Sequence, residues 1–474
     1  MAKHNILLNT DSYKTSMYKS YPPGIEGVYS YIESRGGINS QTVFFGLQAF
    51  VKEYLLDPVT QADIDEADEI WTAHGLPFNR EGWEYILKEH GGYIPVRIKA
   101  IPEGTVVPVR NVLATIENTD PKCFWLTTWL ETALLRAVWY PTTVATNSRS
   151  IKELILDFLV KTGTPDILPF RLHDFGARGV SSYESSMLGA MAHLVNFMGT
   201  DTISGIVGVR KYYREPIAGF SIPASEHSIS TAWGRENEAG YASNMIDQFS
   251  DDFGLVATVA DTYDVFGYVD ILGTTLREKV DSLAAKGKTL VVRPDSGDPT
   301  DIPVKVIQRL MSHFGYTVNE KGYKVLPNHV RVIQGDGINY DSIETILTRL
   351  KNLGISADNI AFGMGGALLS APQRDDQKFA MKASAVKVNG IWKGIAKDPV
   401  TDPGKASKKG RLGLVINHGL GSVNYQTVPE SVAGDRDILR VVFENGNLLV
   451  DDTFADIRKR AEVVLKPEPM GMYG

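Results

Sequence analysis

The sequence predicts an α/β protein: a β/α-barrel with an additional mixed α+β domain built from the N- and C-terminal segments. Three observations carry this reading. From about residue 169, short apolar runs end repeatedly in polar, glycine-containing turns, and most are followed by a helical pattern. The landmarks of these ends are Asp174, Asp201, Glu226, Asp261, Asp295, Asp336 and Gly365. They recur at steps of about 25 to 40 residues, the length of a strand, a helix and two loops. The flanking segments are different in kind, with β-branched residues punctuated by Pro and Gly. Repeated strand–helix units imply parallel strands with right-handed crossovers, and six or seven of them make a closed or nearly closed barrel.

Taken in order, the chain divides at 1–168, 169–377 and 378–474. In the first part "GVYSYIES" alternates like a strand, and "TVFFGLQAFVKEYLL" runs from a strand end into a helix. "YIPVRIKAIPEGTVVPVRNVLATIEN" reads as a small β-rich module. "PKCFWLTTWLETALLRAVW" and "TVATNSRSIKELILDFLVK" read as two helices separated at Pro141. The barrel strands end at "RLHDFGARG", "GTDTISG", "FSIPASEHS", "LVATVADTYD", "LVVRPDSGDP", "VRVIQGDGIN" and "IAFGMGG". Helical patterns such as "IPVKVIQRLMSHFG" and "YDSIETILTRLKNLG" lie between them. The last part opens on a hairpin with Asn389-Gly390 at its turn. A lysine-rich loop follows, and a second Asn-Gly hairpin lies in "ILRVVFENGNLLVDD".

The bulk numbers narrow the class. The chain has 474 residues, 43% hydrophobic and 22% charged, with a net charge of −7. That is ordinary for a globular protein with a large core and argues against a dedicated nucleic-acid binder. No apolar run reaches the ~18 residues of a membrane span. The N-terminus does not read as a signal peptide. Cys123 is the single cysteine, so no internal disulfide forms, and it reads as a core thiol. These features predict a cytoplasmic enzyme without a membrane or nucleic-acid partner.

In a β/α-barrel the catalytic groups sit on the loops after the strands. Here that rim carries the carboxylates Asp174, Asp201, Glu226, Asp261, Asp295, Asp298 and Asp336, the cations Arg178 and Arg293, and His173 and His227. One acidic residue after a strand is most often a helix cap or turn former. Its recurrence from unit to unit weakens that reading for the group. "GMGGALL" offers backbone N–H groups where a helix begins, a cradle for phosphate. Asp336, between glycines in "QGDG", suits ribose hydroxyls, and Asp295 suits the same or Mg²⁺ together with phosphate oxygens. His227 beside Glu226 suits acid–base work, a phosphate contact or phosphoryl acceptance. The loop with Lys397, Lys405, Lys408, Lys409 and Arg411 is either a solvated surface or an attractor of polyphosphate. Neither HExxH nor GxxxxGK[ST] is present. The residues alone reach as far as a β/α-barrel enzyme acting on a phosphorylated sugar.

The ordered set "NTDSYKTSMYKSYPPG", "HDFGARGVSSYES", "GTDT", "ASEHS", "VRPDSGDP", "IQGDG", "FGMGG" and "KDPVTDPGKASKKGRL" resembles the nicotinamide phosphoribosyltransferase family. The resemblance runs from about residue 5 to 415. It implies a type II phosphoribosyltransferase fold and a homodimer with shared active sites. The implied reaction is a pentosyl transfer from 5-phosphoribosyl 1-pyrophosphate (PRPP) to nicotinamide, giving nicotinamide mononucleotide and pyrophosphate. Mg²⁺ assists in the family, and ATP serves as co-substrate by phosphorylating a histidine.

By motif, Phe175 and the partner's Tyr13 would sandwich the nicotinamide ring. Asp201 would accept the carboxamide N–H and repel nicotinate. Asp11 would lie near the same site. Arg293 would face base and phosphates, and Arg178 phosphate. Asp295, Gly335 and Asp336 would hold the ribose, and Gly365 and Gly366 the 5′-phosphate. Arg35, Arg374, Lys382, Lys397 and Lys405 would reach the phosphates, several of them from the partner subunit. His227 would be the phosphorylated histidine, with Glu226 beside it; the resemblance assigns no direct metal ligands. Ala177 stands where animal members carry an aromatic residue, and Ala380 and Ala257 stand where serines are expected. The alternatives are a nicotinate or quinolinate phosphoribosyltransferase and a non-catalytic nucleotide-binding protein of the same fold.

Overall fold

The strand ends marked from residue 169 onward become the staves of a ring. The computed structural model describes residues 4–401, 405–419 and 422–463. Six staves are parallel strands: β1 (Leu172–Asp174), β2 (Gly199–Thr200), β3 (Leu255–Val259), β4 (Thr289–Arg293), β5 (Val330–Gln334) and β6 (Ile360–Met364). They pair in the order β2-β1-β6-β5-β4-β3. The remaining stave is the segment from Phe220 to Ala224, which bridges Gly199 of β2 on one side and Ala257 of β3 on the other. Backbone N–H groups of Thr200 and Ser225 close it, donating to the carbonyls of Phe220 and Ala257, each at 3.1 Å. Ring order is therefore chain order, as sequential right-handed crossovers require. The expected barrel is present.

The strands are apolar because both of their faces are covered. Leu290, Val291 and Val292 of β4 are all buried. The outer helices follow the usual rules. Ile302–Phe314 buries Val306, Ile307, Leu310 and Phe314, a helical stripe. It stops at Gly315, whose φ of +76° suits a residue without Cβ. Tyr340–Asn352 starts at Asn339, whose side chain accepts the Ser342 N–H while the Ser342 side chain answers at the Asn339 N–H.

The flanking segments share one antiparallel sheet. Its order is Ile391–Gly394, Phe379–Val388, Ile25–Ser34, Val112–Asn118, Val96–Ala100, Arg440–Glu444 and Asn447–Leu448. N-terminal Ile25–Ser34 thus pairs with C-terminal Phe379–Val388, with Tyr31 opposite Lys382. Both predicted Asn-Gly hairpins form. Asn389 and Gly390 have φ of +49° and +79°, and Asn445 and Gly446 +51° and +83°, the left-handed pair that matches strand twist. Trp83, Trp125 and Trp129 pack edge to face in this core. Cys123 is fully buried, and burial pushes its thiol up to about 12, which makes it an inert core group.

The described residues fall into two compact units. One holds those up to Thr146, Val209–Glu215 and Gln373–Glu462, and contains the antiparallel sheet; the other holds Asn147–Gly208 and Pro216–Pro372, and contains the barrel.

Pro141 does not separate two helices as expected. It lies inside one continuous helix, Glu131–Thr162, and the apolar run breaks earlier, between Leu126–Trp129 and Glu131. A proline leaves the carbonyl four residues back without its helical donor. Here Gly46 packs against that turn: a Cβ on it would lie 2.4 Å from Pro141 Cγ and 2.8 Å from the Ala137 carbonyl oxygen. Thr142 pins the same contact, its hydroxyl donating to Phe45 O at 3.1 Å and accepting the Phe45 N–H at 3.2 Å. Tertiary packing carries the helix through the proline.

Candidate active site

The rim of the barrel gathers an aromatic ring, a carboxylate–histidine pair and an acidic cluster around Arg293. Phe175 leaves the end of β1 and lays its ring over the backbone of β6 and the turn after β5. A Cβ on Gly363 would stand 1.9 Å from the ring, and one on Gly335 would stand 3.1 Å from it. The two glycines make the slot in which the ring lies flat. Gly363 was not among the expected site residues; its place in "FGMGG" was the only hint.

Asp201 follows β2. His173 Nε2 lies 2.9 Å from Asp201 Oδ1, and the Ser221 hydroxyl donates to the same oxygen. Both donors converge on Oδ1, which leaves Oδ2 for a ligand. The His173 ring is also 5.2 Å from the Phe175 ring, so the aromatic slot and the carboxylate share a neighbour. Burial acts to raise the Asp201 carboxyl. His173, Ser221 and Arg293 outweigh it, and the pKa is lowered. Asp201 is thus an anion with one free oxygen. Ser221, on the bridging segment, carries no sequence signal of its own.

Arg293 ends β4. One terminal nitrogen donates to Ser225 O at 3.0 Å, the other lies 3.9 Å from Asp295 Oδ1, and its buried Nε meets no protein acceptor. Asp295 Oδ2 lies 4.0 Å from His227 Nδ1, and His227 Nε2 lies 3.0 Å from Asp261 Oδ1. Asp295 has a raised pKa, chiefly from burial, with Asp261 and Asp336 adding to it and Arg293 and His227 opposing it. Asp261, a rim carboxylate without an assigned role in the sequence, is the partner that orients His227.

Other members of the rim set do something else. Asp174 is fully buried and faces the turns behind the rim. Asp298 accepts the backbone N–H and hydroxyl of Thr300, each at 2.8 Å, the bland turn-forming role. Glu226 sits at the start of helix His227–Trp233 and accepts the Ser228 hydroxyl. Arg178 is exposed on a short 3₁₀ turn. Gly365 and Gly366 open the short helix Gly366–Leu369, with Gly366 beside the Ser370 hydroxyl. Gly335 and Asp336 form the turn after β5, and Gln334 donates from Nε2 to the Asp336 carbonyl at 2.9 Å.

The remaining expected residues belong to the sheet unit. Tyr13 is 59% exposed on the 3₁₀ helix Ser12–Lys19, and Asp11 accepts the Thr132 hydroxyl. Lys382 has a lowered pKa: burial leads, and the charges of Arg35, Lys397 and Lys14 add to it while Glu131 opposes it. These four cations therefore form one field, and Arg35 Nε is buried without a protein acceptor. Lys14, buried and 2.5 Å from Glu131, was not an expected member. Lys405 is exposed, and Arg374 pairs with Asp375 at 3.0 Å. Within the lysine-rich loop, Lys408 pairs with buried Glu33 and Arg411 with Glu117 and Glu430. These two are structural ion pairs.

The fold and rim define a β/α-barrel protein whose polar groups suit a phosphorylated sugar and a flat base. Residues 170–447 match the model of the nicotinate phosphoribosyltransferase (NAPRTase) family. Residues 5–98 match the nicotinamide phosphoribosyltransferase N-terminal domain. The chain belongs to the nicotinate phosphoribosyltransferase family. It is 53% identical to a nicotinamide phosphoribosyltransferase of Xanthomonas campestris over 464 residues, 97% of this chain and 98% of the relative. It is 32% identical to one of Acinetobacter baylyi, covering 96% and 97%. Among solved structures, the nicotinate-nucleotide pyrophosphorylase of Pyrococcus furiosus aligns with a TM-score of 0.61 at 18% identity, covering 96% of this chain and 94% of that one. Human nicotinic acid phosphoribosyltransferase aligns at 0.57, also at 18% identity, covering 96% and 93%. These two establish the fold. Among the described residues, no helix is long and apolar enough to cross a membrane.

Proposed function

We infer that the protein transfers the phosphoribosyl group of PRPP to nicotinamide, releasing nicotinamide mononucleotide and pyrophosphate. One observation carries the choice of base: the ionised Asp201, with Oδ1 saturated by His173 and Ser221 and Oδ2 free. A carboxamide N–H can donate to Oδ2, whereas a nicotinate carboxylate would face like charge there. The curated relatives bear the same name as this reading.

In the reaction the C1–O bond to pyrophosphate breaks, the electron pair leaves with pyrophosphate, and the pyridine nitrogen bonds to C1. The nitrogen is already a nucleophile, so no strong base is needed. Asp295 and Asp336 face the ribose as positive charge develops on it, and Arg293 faces the phosphates. Holding ring and sugar in line can supply roughly 7–11 kcal/mol of the barrier. Asp295, whose carboxyl pKa is raised by burial and by the charges of Asp261 and Asp336, is the rim carboxylate that would meet Mg²⁺ together with phosphate oxygens. The ion's chemistry would be charge neutralisation on the pyrophosphate. The experiment is a product assay with PRPP and each base: nicotinamide should turn over faster, and faster turnover of nicotinate overturns the reading.

ATP hydrolysis through a phosphohistidine is part of this proposal. With Nε2–H directed at Asp261, Nδ1 of His227 keeps its lone pair for the γ-phosphoryl group. Mg-ATP should yield acid-labile phosphoprotein in the wild type and none in His227→Ala; equal labelling would remove His227 from the role.

A further inference from the structure

Asp174 is completely buried at the end of β1, so it does not reach a substrate. Its contacts are specific nonetheless. Oδ1 accepts the Gly176 N–H at 2.7 Å, and Oδ2 accepts the Thr200 hydroxyl at 3.1 Å. The Thr200 oxygen accepts the Thr202 N–H at 2.9 Å. The Asp174 carbonyl accepts the Asp201 N–H, also at 2.9 Å. One residue therefore ties together two neighbouring turns. The first carries Phe175, itself held by its N–H to Met364 O at 3.0 Å; the second carries Asp201.

Burying a carboxyl group away from water is unfavourable unless its oxygens are satisfied. Burial raises the pKa of Asp174, while the bonds from Gly176 and Thr200 hold it down in part. Satisfied in this way, such a group fixes the geometry around it. We propose that Asp174 is a positioning residue for base recognition. Its side chain sets the spacing between the Phe175 ring and the Asp201 carboxylate, and so governs affinity for the pyridine base and the choice between amide and acid. This rests on the reading of Phe175 and Asp201 as the base site.

The test uses the full chain in steady-state kinetics with both substrates. Asp174→Asn keeps the shape and the acceptor for Gly176 but reverses the hydrogen-bond polarity toward Thr200. Thr200→Val removes the hydroxyl alone, and Thr200→Ser restores it. Asp174→Asn and Thr200→Val should each raise KM for nicotinamide roughly ten-fold, since a buried hydrogen bond between the two turns is lost. KM for PRPP should stay within about two-fold, and nicotinamide should lose part of its advantage over nicotinate. Thr200→Ser should behave as wild type. If Asp174→Asn fails to fold, Thr200→Val and Thr200→Ser carry the test. Equal shifts in both KM values, or a loss of thermal stability with unchanged kinetics, would overturn the proposal. Phe175→Ala and Asp201→Asn are measured alongside. If neither moves KM for nicotinamide, the base-site reading fails; if both do and the Asp174 and Thr200 variants do not, the positioning role alone is wrong.

Discussion

Asp201 and Gly363 show how much a few atoms decide. With Oδ1 of Asp201 occupied, the selectivity proposed for it would rest on one oxygen and one charge. Asp201→Asn removes the charge and keeps the shape, so the ratio of kcat/KM for nicotinamide over nicotinate should fall by about ten-fold or more, the scale of one charged contact. An unchanged ratio in a two-substrate competition would take Asp201 out of the role. Gly363 acts by absence. Its φ is not in the left-handed region, so alanine is tolerated by the backbone, but the added carbon would lie 1.9 Å from the Phe175 ring. Gly363→Ala should displace the ring and raise KM for nicotinamide roughly ten-fold, with a small change in melting temperature. Retained KM would mean that the ring moves freely. Neither Gly363 nor Ser221 stood out in the sequence, because each matters through a residue on another stave. Asp201, Asp295 and His227 stood out because polar groups ending apolar runs have a local signature.

Elements were legible where their cause is local. The barrel staves could be read because parallel strands covered on both faces make apolar runs, and the Asn-Gly hairpins because left-handed backbone selects those residues. The continuity of Glu131–Thr162 through Pro141 was not legible, since Gly46 and Thr142 supply its support from tertiary contacts. Glu103 is a similar case, in the turn between strands Val96–Ala100 and Val106–Pro108. Its carboxyl is buried and accepts the Gln48 N–H at 2.7 Å, near the start of helix Leu47–Phe50. Burial raises its pKa from an ordinary 4.5 to about 7. Between those values the folded chain holds a proton that the unfolded chain has released. The resulting stabilisation is present in full below pH 4.5 and is lost as pH rises through about 7. Its size is roughly 3 kcal/mol. Glu103→Gln has no such titration. In denaturant unfolding, the stability of the wild type relative to Glu103→Gln should therefore decline across this range, and a flat difference would show that Glu103 does not titrate there.

At the scale of the molecule, the residues of the proposed site are divided between two structural units. The barrel unit carries the aromatic slot, Asp201 and the carboxylates around Arg293. The sheet unit carries the cationic field of Lys14, Arg35, Lys382 and Lys397. PRPP needs both kinds of group: carboxylates tolerate a positive ribose, and cations accept the departing pyrophosphate. The homodimer that the sequence resemblance implies would meet that need if the sheet unit of one chain served the barrel of its partner, which two inactive variants can test. Asp295→Asn disables the barrel half and Lys382→Ala the sheet half. A heterodimer of the two, isolated by different tags, would combine both defects in one shared site and leave the other intact. It should recover about half of the wild-type activity per dimer, as expected for one working site in a two-fold assembly. Each parent homodimer should stay inactive. If each chain completes its own site, the heterodimer has no working site and no activity returns; a monomer in sedimentation would reject the arrangement outright.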